Sequence, residues 1–169
     1  MKYINPVKEL KRLQSLEHPT EEEISLRDDL EREKSSYDEL EKKQKETWKA
    51  FPFNEEKLSS YFDINGNPIS MWEFVGLSNS DERRISETQI GDYWVSTVHL
   101  VLDHSMFGNT PIIFETMIFN TNESFCNDEK DPYNRFQERY STLQQAKDGH
   151  EKSCRMVREG RSVDDWEIM

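Results

Sequence analysis

The feature that most constrains the fold is a change in the spacing of apolar residues between positions 50 and 60. Before it, apolar residues recur every three or four positions, which is typical of amphipathic helices. After it come short runs rich in Val, Ile and Phe, bounded by turn residues, which are typical of strands. All six glycines of the chain also follow this point. The sequence therefore predicts a helical part followed by a part that contains a sheet.

The predicted fold class is α+β. We expect an N-terminal helical hairpin, followed by a small antiparallel β-meander packed on a C-terminal helix. A chain of 169 residues has room for one ordinary domain with an extension. We place a helical arm at residues 1–55, a small α+β domain at 56–160 and an acidic tail at 161–169.

Local signals locate two helices in the arm. Asn5 followed by Pro6 is a favourable helix start, because an Asn cap precedes Pro at the first helical position. Thr20 and Glu23 form a capping box, which begins a second helix that reaches about Trp48. The apolar seam of this second helix is narrow. The arm is therefore either an antiparallel hairpin or a coiled coil that joins a second copy through residues 4–48.

Three β-rich runs follow, over residues 83–90, 93–103 and 111–120. The turn residues Gly91 and Asp92 separate the first two runs, which predicts an antiparallel meander. Residues 121–138 are polar and predict a loop.

Two further helices are indicated by their caps. Ser70 precedes the short segment MWEFVGL, and the pair Ser141-Thr142 precedes a longer helical segment that runs to about Arg158. A lone histidine on a helix, such as His150, is more often a packed or surface residue than a metal ligand.

Charge excludes some classes of partner. The net charge is -12, which argues against a non-specific grip on nucleic acid, because phosphate binding depends on Lys and Arg. Residues 1–60 carry 12 Lys/Arg and 15 Asp/Glu, whereas residues 61–169 carry 10 and 19.

No stretch approaches 18 apolar residues, so we expect no membrane span. The N-terminus lacks the apolar core of a signal peptide, so we expect a cytoplasmic location.

One carboxylate stands out in the predicted strands. Glu115 lies in an otherwise apolar run, and burying a carboxylate is costly unless it is paired or hydrogen-bonded. Its partner is expected to be a histidine, Arg83 or Arg84, or backbone amides of the loop at 104–110.

Asp103, His104 and Glu115 form the candidate site. If the two strands that bear them are neighbours, the three side chains approach one another. Two carboxylates and an imidazole suit a divalent metal or an acid/base pair. The alternative is structural, with Asp103 and His104 shaping the loop and Glu115 anchoring it. The sequence predicts no other cofactor.

Four sequence blocks occur in a fixed order along the second part of the chain. VSTVHLVLDH is followed by PIIFETMIF, then RYST, then AKDGH. This series resembles a set of small proteins encoded widely by tailed bacteriophages and prophages, and the match covers roughly residues 61–155. The blocks carry the resemblance at Ser96, Thr97, Asp103, His104, Pro111, Phe114, Glu115, Thr116, Arg139, Tyr140, Ser141, Thr142, Gly149 and His150.

The resemblance implies an origin rather than a reaction. It groups Asp103, His104 and Glu115, whereas His99 stands where the family usually shows Trp, which argues against His99 as a ligand. Val101 stands where Gly is usual. We rank three functions for a protein in the host cytoplasm or the virion. The first is an accessory protein that binds a host or phage protein, with a possible host-takeover or anti-defence role. The second is an assembly component, and the third is an enzyme.

Overall fold

The computed structural model describes residues 3–49, 60–105, 110–121 and 131–162. They form two compact units. The first unit comprises residues up to 63 together with 67–81, and the second comprises 64–66 and the residues from 82 onward. The predicted tail at 161–169 lies almost entirely outside the described residues.

The first unit contains three helices: α1 (Pro6–Gln14), α2 (Glu21–Lys49) and α3 (Met71–Ser78). The predicted caps are present. Asn5 Oδ1 accepts from the main-chain N–H of Val7 at 3.0 Å, and Ser70 and Glu73 form a capping box at the start of α3.

The third helix belongs with the first two. Asn5 Nδ2 donates to Gly76 O at 2.8 Å, and Glu41 of α2 accepts from the first main-chain N–H of α3, on Met71, at 2.8 Å. The rings of Tyr37 and Trp72 lie 5.6 Å apart. The helical unit therefore extends to residue 81 and includes α3.

The second unit contains a four-stranded antiparallel sheet of order β1-β2-β3-β4. Its strands are β1 (Arg84–Ile90), β2 (Tyr93–His99), β3 (Phe114–Asn120) and β4 (Gln137–Tyr140), and its helix is α4 (Leu143–Arg158). α4 packs on one face of the sheet, where Val95, Ile118, Met156 and Val157 share the core. The α+β class is confirmed.

Two details of the sheet differ from the prediction. A fourth strand, β4, begins at the end of the segment 121–138 that was predicted as a loop, extends beyond that segment to Tyr140, and pairs with β3. β2 ends at His99 rather than at residue 103, and Val101 adopts a φ of 66°, a left-handed backbone that is incompatible with a regular strand. Val101 is also fully buried.

Candidate functional site

Asp103 organises the loop that follows β2. Its Oδ1 accepts from the main-chain N–H groups of Ser105 and Ile112, at 2.7 and 2.9 Å. Its Oδ2 accepts from the Ser105 hydroxyl at 2.9 Å. A carboxylate that accepts from two backbone N–H groups seven residues apart fixes both ends of the loop. These contacts match the structural alternative for Asp103.

His104 joins the same loop through its backbone. Its main-chain N–H donates to Ile112 O at 2.9 Å, and the residue is half-buried. This bond continues the pairing between the two chain segments after β2 has ended.

Glu115 serves a different part of the fold. Glu115 is buried. Successive side chains of a strand point to opposite faces of the sheet, and Thr116 faces α4, so Glu115 lies on the face away from α4. Its Oε1 accepts from Arg139 Nε at 2.8 Å and from the Gln137 side-chain amide. The partners are therefore two residues of β4 rather than a histidine, Arg83, Arg84 or loop amides. Glu115 anchors the short edge strand to β3.

The three predicted residues thus serve two structural tasks. Asp103 and His104 hold a loop, while Glu115 holds β4. Among the described residues, no group of three His, Cys, Asp or Glu side chains is placed to hold a metal ion.

A second polar cluster lies inside the unit, between the sheet and α4. His150 of α4 is buried, and its two ring nitrogens contact hydroxyls of two different strands: Nε2 lies 2.9 Å from Thr88 Oγ1, and Nδ1 lies 2.8 Å from Thr97 Oγ1. Thr97 Oγ1 also lies 2.7 Å from Thr116 Oγ1 of β3. One histidine thereby links the helix to three strands.

The ionisation of His150 follows from this position. Burial lowers its pKa below the ordinary value, the neighbouring carboxylate of Glu151 opposes that shift, and Arg158 adds to it. A neutral imidazole has one donor and one acceptor nitrogen. It therefore satisfies two hydroxyls when one of them donates to the ring and the other accepts from it.

Tyr140 and Gly149 meet at the edge of this cluster. A Cβ placed on Gly149 would overlap the hydroxyl oxygen and Cζ of Tyr140 and would lie 2.7 Å from its Cε1. Only Gly permits such close contact between the ring and the helix. Burial raises the pKa of Tyr140 to about 12, and the nearby Thr116 hydroxyl opposes this shift.

This cluster joins the separate sequence blocks. Thr97, Thr116, Tyr140, Gly149 and His150 belong to the blocks VST, FET, RYST and GH. Sequence reasoning predicts that His150 is a packed or a surface residue. The structure buries it, and the sequence does not predict its partners. The one signal in the sequence was the fixed order of these blocks, whose residues come together in the folded unit.

A cleft of about 440 Å³ opens beside the cluster. Residues 138–141 form one side, and one face of α4 forms the other, with Gln145, Asp148 and Lys152 spaced at helical intervals. The ring of Tyr140 and the backbone of Gly149 also line it. The volume lies in the range of ligand-sized clefts, and the lining carries charges of both signs.

No family model, curated protein or solved structure matches the chain at a significant level. Within the part of the chain that the structure describes, no helix is both long and apolar enough to cross a membrane.

Proposed function

We propose that the chain is a small phage-encoded accessory protein that acts in the host cytoplasm by binding another protein. The observation that carries this proposal is the cleft between residues 138–141 and α4. It is open to solvent, contains charged side chains of both signs and lies beside an edge strand. Asp103, Glu115 and His150 all make hydrogen bonds that hold the fold, so the proposal rests on the cleft and not on these three side chains.

The charge of the unit bears on the kind of partner. Residues 82–105, 110–121 and 131–162 contain ten Asp/Glu and nine Lys/Arg, which is nearly balanced. The acidic excess of the second half therefore lies in other segments, including 61–81 and 163–169. A partner that docks in the cleft meets charges of both signs, which favour specificity and register over general attraction to a basic surface.

The test is affinity capture from host lysate with two matched variants. Asp148→Lys with Lys152→Glu exchanges two charges that line the cleft, whereas Lys147→Glu with Glu151→Lys exchanges two exposed charges of α4 that do not line it. Both pairs keep the net charge and the helical spacing. We expect the first variant to lose a partner that the wild type and the second variant retain. Equal capture by all three proteins would contradict a binding role for the cleft.

A second candidate, assembly through the arm, is favoured by two exposed leucines. Leu26 and Leu40 of α2 are 43% and 52% exposed, and their separation of 14 residues places them on the same side of the helix. Light scattering should then give a larger mass for the full chain than for its Leu26→Ser, Leu40→Ser variant. Equal masses would remove this candidate.

A further inference from the structure

β4 is an edge strand that borders the cleft. Among the described strands it pairs with β3 alone. Alternate backbone N–H and C=O groups of such a strand point away from the sheet and are free to pair with another extended chain. Gln137 and Arg139 are exposed, and Glu138 is half-buried. The strand therefore offers both backbone groups and charged side chains.

The residues of β4 disfavour pairing with a second copy of the strand. Two identical strands related by a two-fold axis perpendicular to the sheet must pair about one central residue. The two registers that overlap three of the four residues are centred on Glu138 or on Arg139. Each sets a charged residue directly opposite its own copy, and like charges opposite one another destabilise a strand pair. The edge thus favours a different sequence.

From this geometry we propose that an extended peptide segment of the partner adds to β4 as a fifth antiparallel strand. This inference rests on the proposed binding function and names its mode. The segment carries an acidic residue followed by a basic one. The acidic residue lies opposite Arg139, and the basic residue lies opposite Glu138.

The two faces of the sheet give the incoming side chains different surroundings. Glu138 and Tyr140 alternate with Arg139, and they pair with Thr116 and Phe114 of β3. Thr116 faces α4, so side chains opposite Glu138 and Tyr140 enter the cleft beside α4. The acidic side chain opposite Arg139 lies on the other face. Glu115 already holds Arg139 there through Nε, which fixes the guanidinium at the edge before binding.

The first experiment tests the charge order. The probes are two eight-residue peptides of Thr and Val, one with a central Glu-Lys pair and one with Lys-Glu, titrated into the ¹⁵N-labelled full chain. We expect saturable shifts in the amide resonances of residues 137–141, with roughly two- to fivefold tighter binding of the Glu-Lys peptide. A peptide with Glu at both central positions should bind Glu138→Lys more tightly than it binds the wild type. Glu151→Lys, which makes the same charge change away from the cleft, should leave every affinity unchanged.

The second experiment tests the backbone pairing. Two N-methylated peptides are compared. One lacks the N–H donors of its odd-numbered residues, and the other lacks those of its even-numbered residues. Strand addition predicts that one set of methyl groups abolishes binding and the other leaves it nearly intact. Equal effects of the two sets, or no saturable shift at residues 137–141, would overturn strand addition.

The two proposals fail differently. If the cleft-exchanged variant loses its lysate partner while no peptide binds β4, the binding function stands and strand addition is wrong. If the partner survives the cleft exchange, the proposed function is wrong.

Discussion

Gly149→Ala provides the most direct test of the packing between Tyr140 and α4. At an ordinary interior position of a helix, this change stabilises by about 1 kcal/mol, because Ala has the higher helix propensity. Here the three atoms nearest to the new Cβ would all belong to the Tyr140 ring. The backbone of Tyr140 is held by the pairing of β4 with β3, so the ring can move aside only by leaving its rotamer or by shifting the strand. Overpacking of this kind costs about 3 kcal/mol at the upper end of the usual range.

The net expectation is a loss of about 2 kcal/mol, obtained by setting the overpacking cost against the propensity gain. For a unit of this size, that loss lowers the Tm by roughly 8–16 °C. Urea unfolding followed by circular dichroism gives the free energy, and a thermal scan gives the Tm. Both measurements should use the full chain.

A double-mutant cycle identifies the cause. Tyr140→Ala destabilises in its own right, but it also removes the obstructing ring. In that background, Gly149→Ala should become neutral or stabilising by up to about 1 kcal/mol, because only the propensity term remains. The reasoning would be refuted if Gly149→Ala were harmless in the wild type, or if it were equally damaging with and without the Tyr140 ring.

Three further predictions concern His150, Val101 and Asp103. Folding lowers the pKa of His150, so the stability that its neutral form contributes is complete above the unfolded value near 6.5 and is lost as the pH falls toward the folded pKa. As the pH is lowered from about 6.5, the urea concentration at the unfolding midpoint should decrease in the wild type and should decrease less steeply in His150→Gln. Equal slopes in the two proteins would contradict this reasoning. Because Val101 has a φ of 66°, thermal unfolding should show Val101→Gly to be more stable than Val101→Ala by about 1 kcal/mol. At Val95, which lies in the regular strand β2, the Ala variant should be more stable than the Gly variant. Asp103→Ala should cost about 2 kcal/mol because it leaves two N–H groups unpaired, and Asp103→Asn should cost less because its oxygen still accepts; hydrogen exchange at Ser105 and Ile112 would show equal protection in the two variants if this account were wrong.

The sequence predicted the helices better than the strands, for a physical reason. Asn5, Thr20, Ser70 and Thr142 are local caps whose partners lie within a few residues, so the caps can be recognised from short motifs. The strand β4 contains four polar residues and is held by Glu115 from a segment 22 residues earlier. No local pattern distinguishes such a strand from a loop.

The end of β2 shows a different limit. The run from Tyr93 to residue 103 is rich in aromatic and β-branched residues and predicts one long strand. Instead β2 ends at His99, Val101 takes a left-handed backbone, and Asp103 then bonds to both ends of the following loop. A valine gives no sign of a left-handed backbone. The only hint was the resemblance, in which Gly is usual at this position.

The candidate site could be predicted only in part. Glu115 was correctly singled out as a carboxylate that needs a partner, since that requirement follows from solvation alone. Its partners, Gln137 and Arg139, depended on the undetected β4. The bonds from His150 to Thr88 and Thr97 span 62 and 53 residues, and threonines in strands and a histidine in a helix are unremarkable by themselves.

The position of α4 at the end of the fold has a consequence for protein synthesis. The strands follow one another in the sheet in the order in which the ribosome makes them, so each hairpin can close as soon as it emerges. The helix that covers them is made after all four. Until it emerges, Thr97 and Thr116 lack the imidazole that joins them to α4, and the apolar face beside them stays open to water and to other chains. A nascent chain stalled before residue 143 should therefore be the form that depends most on chaperones.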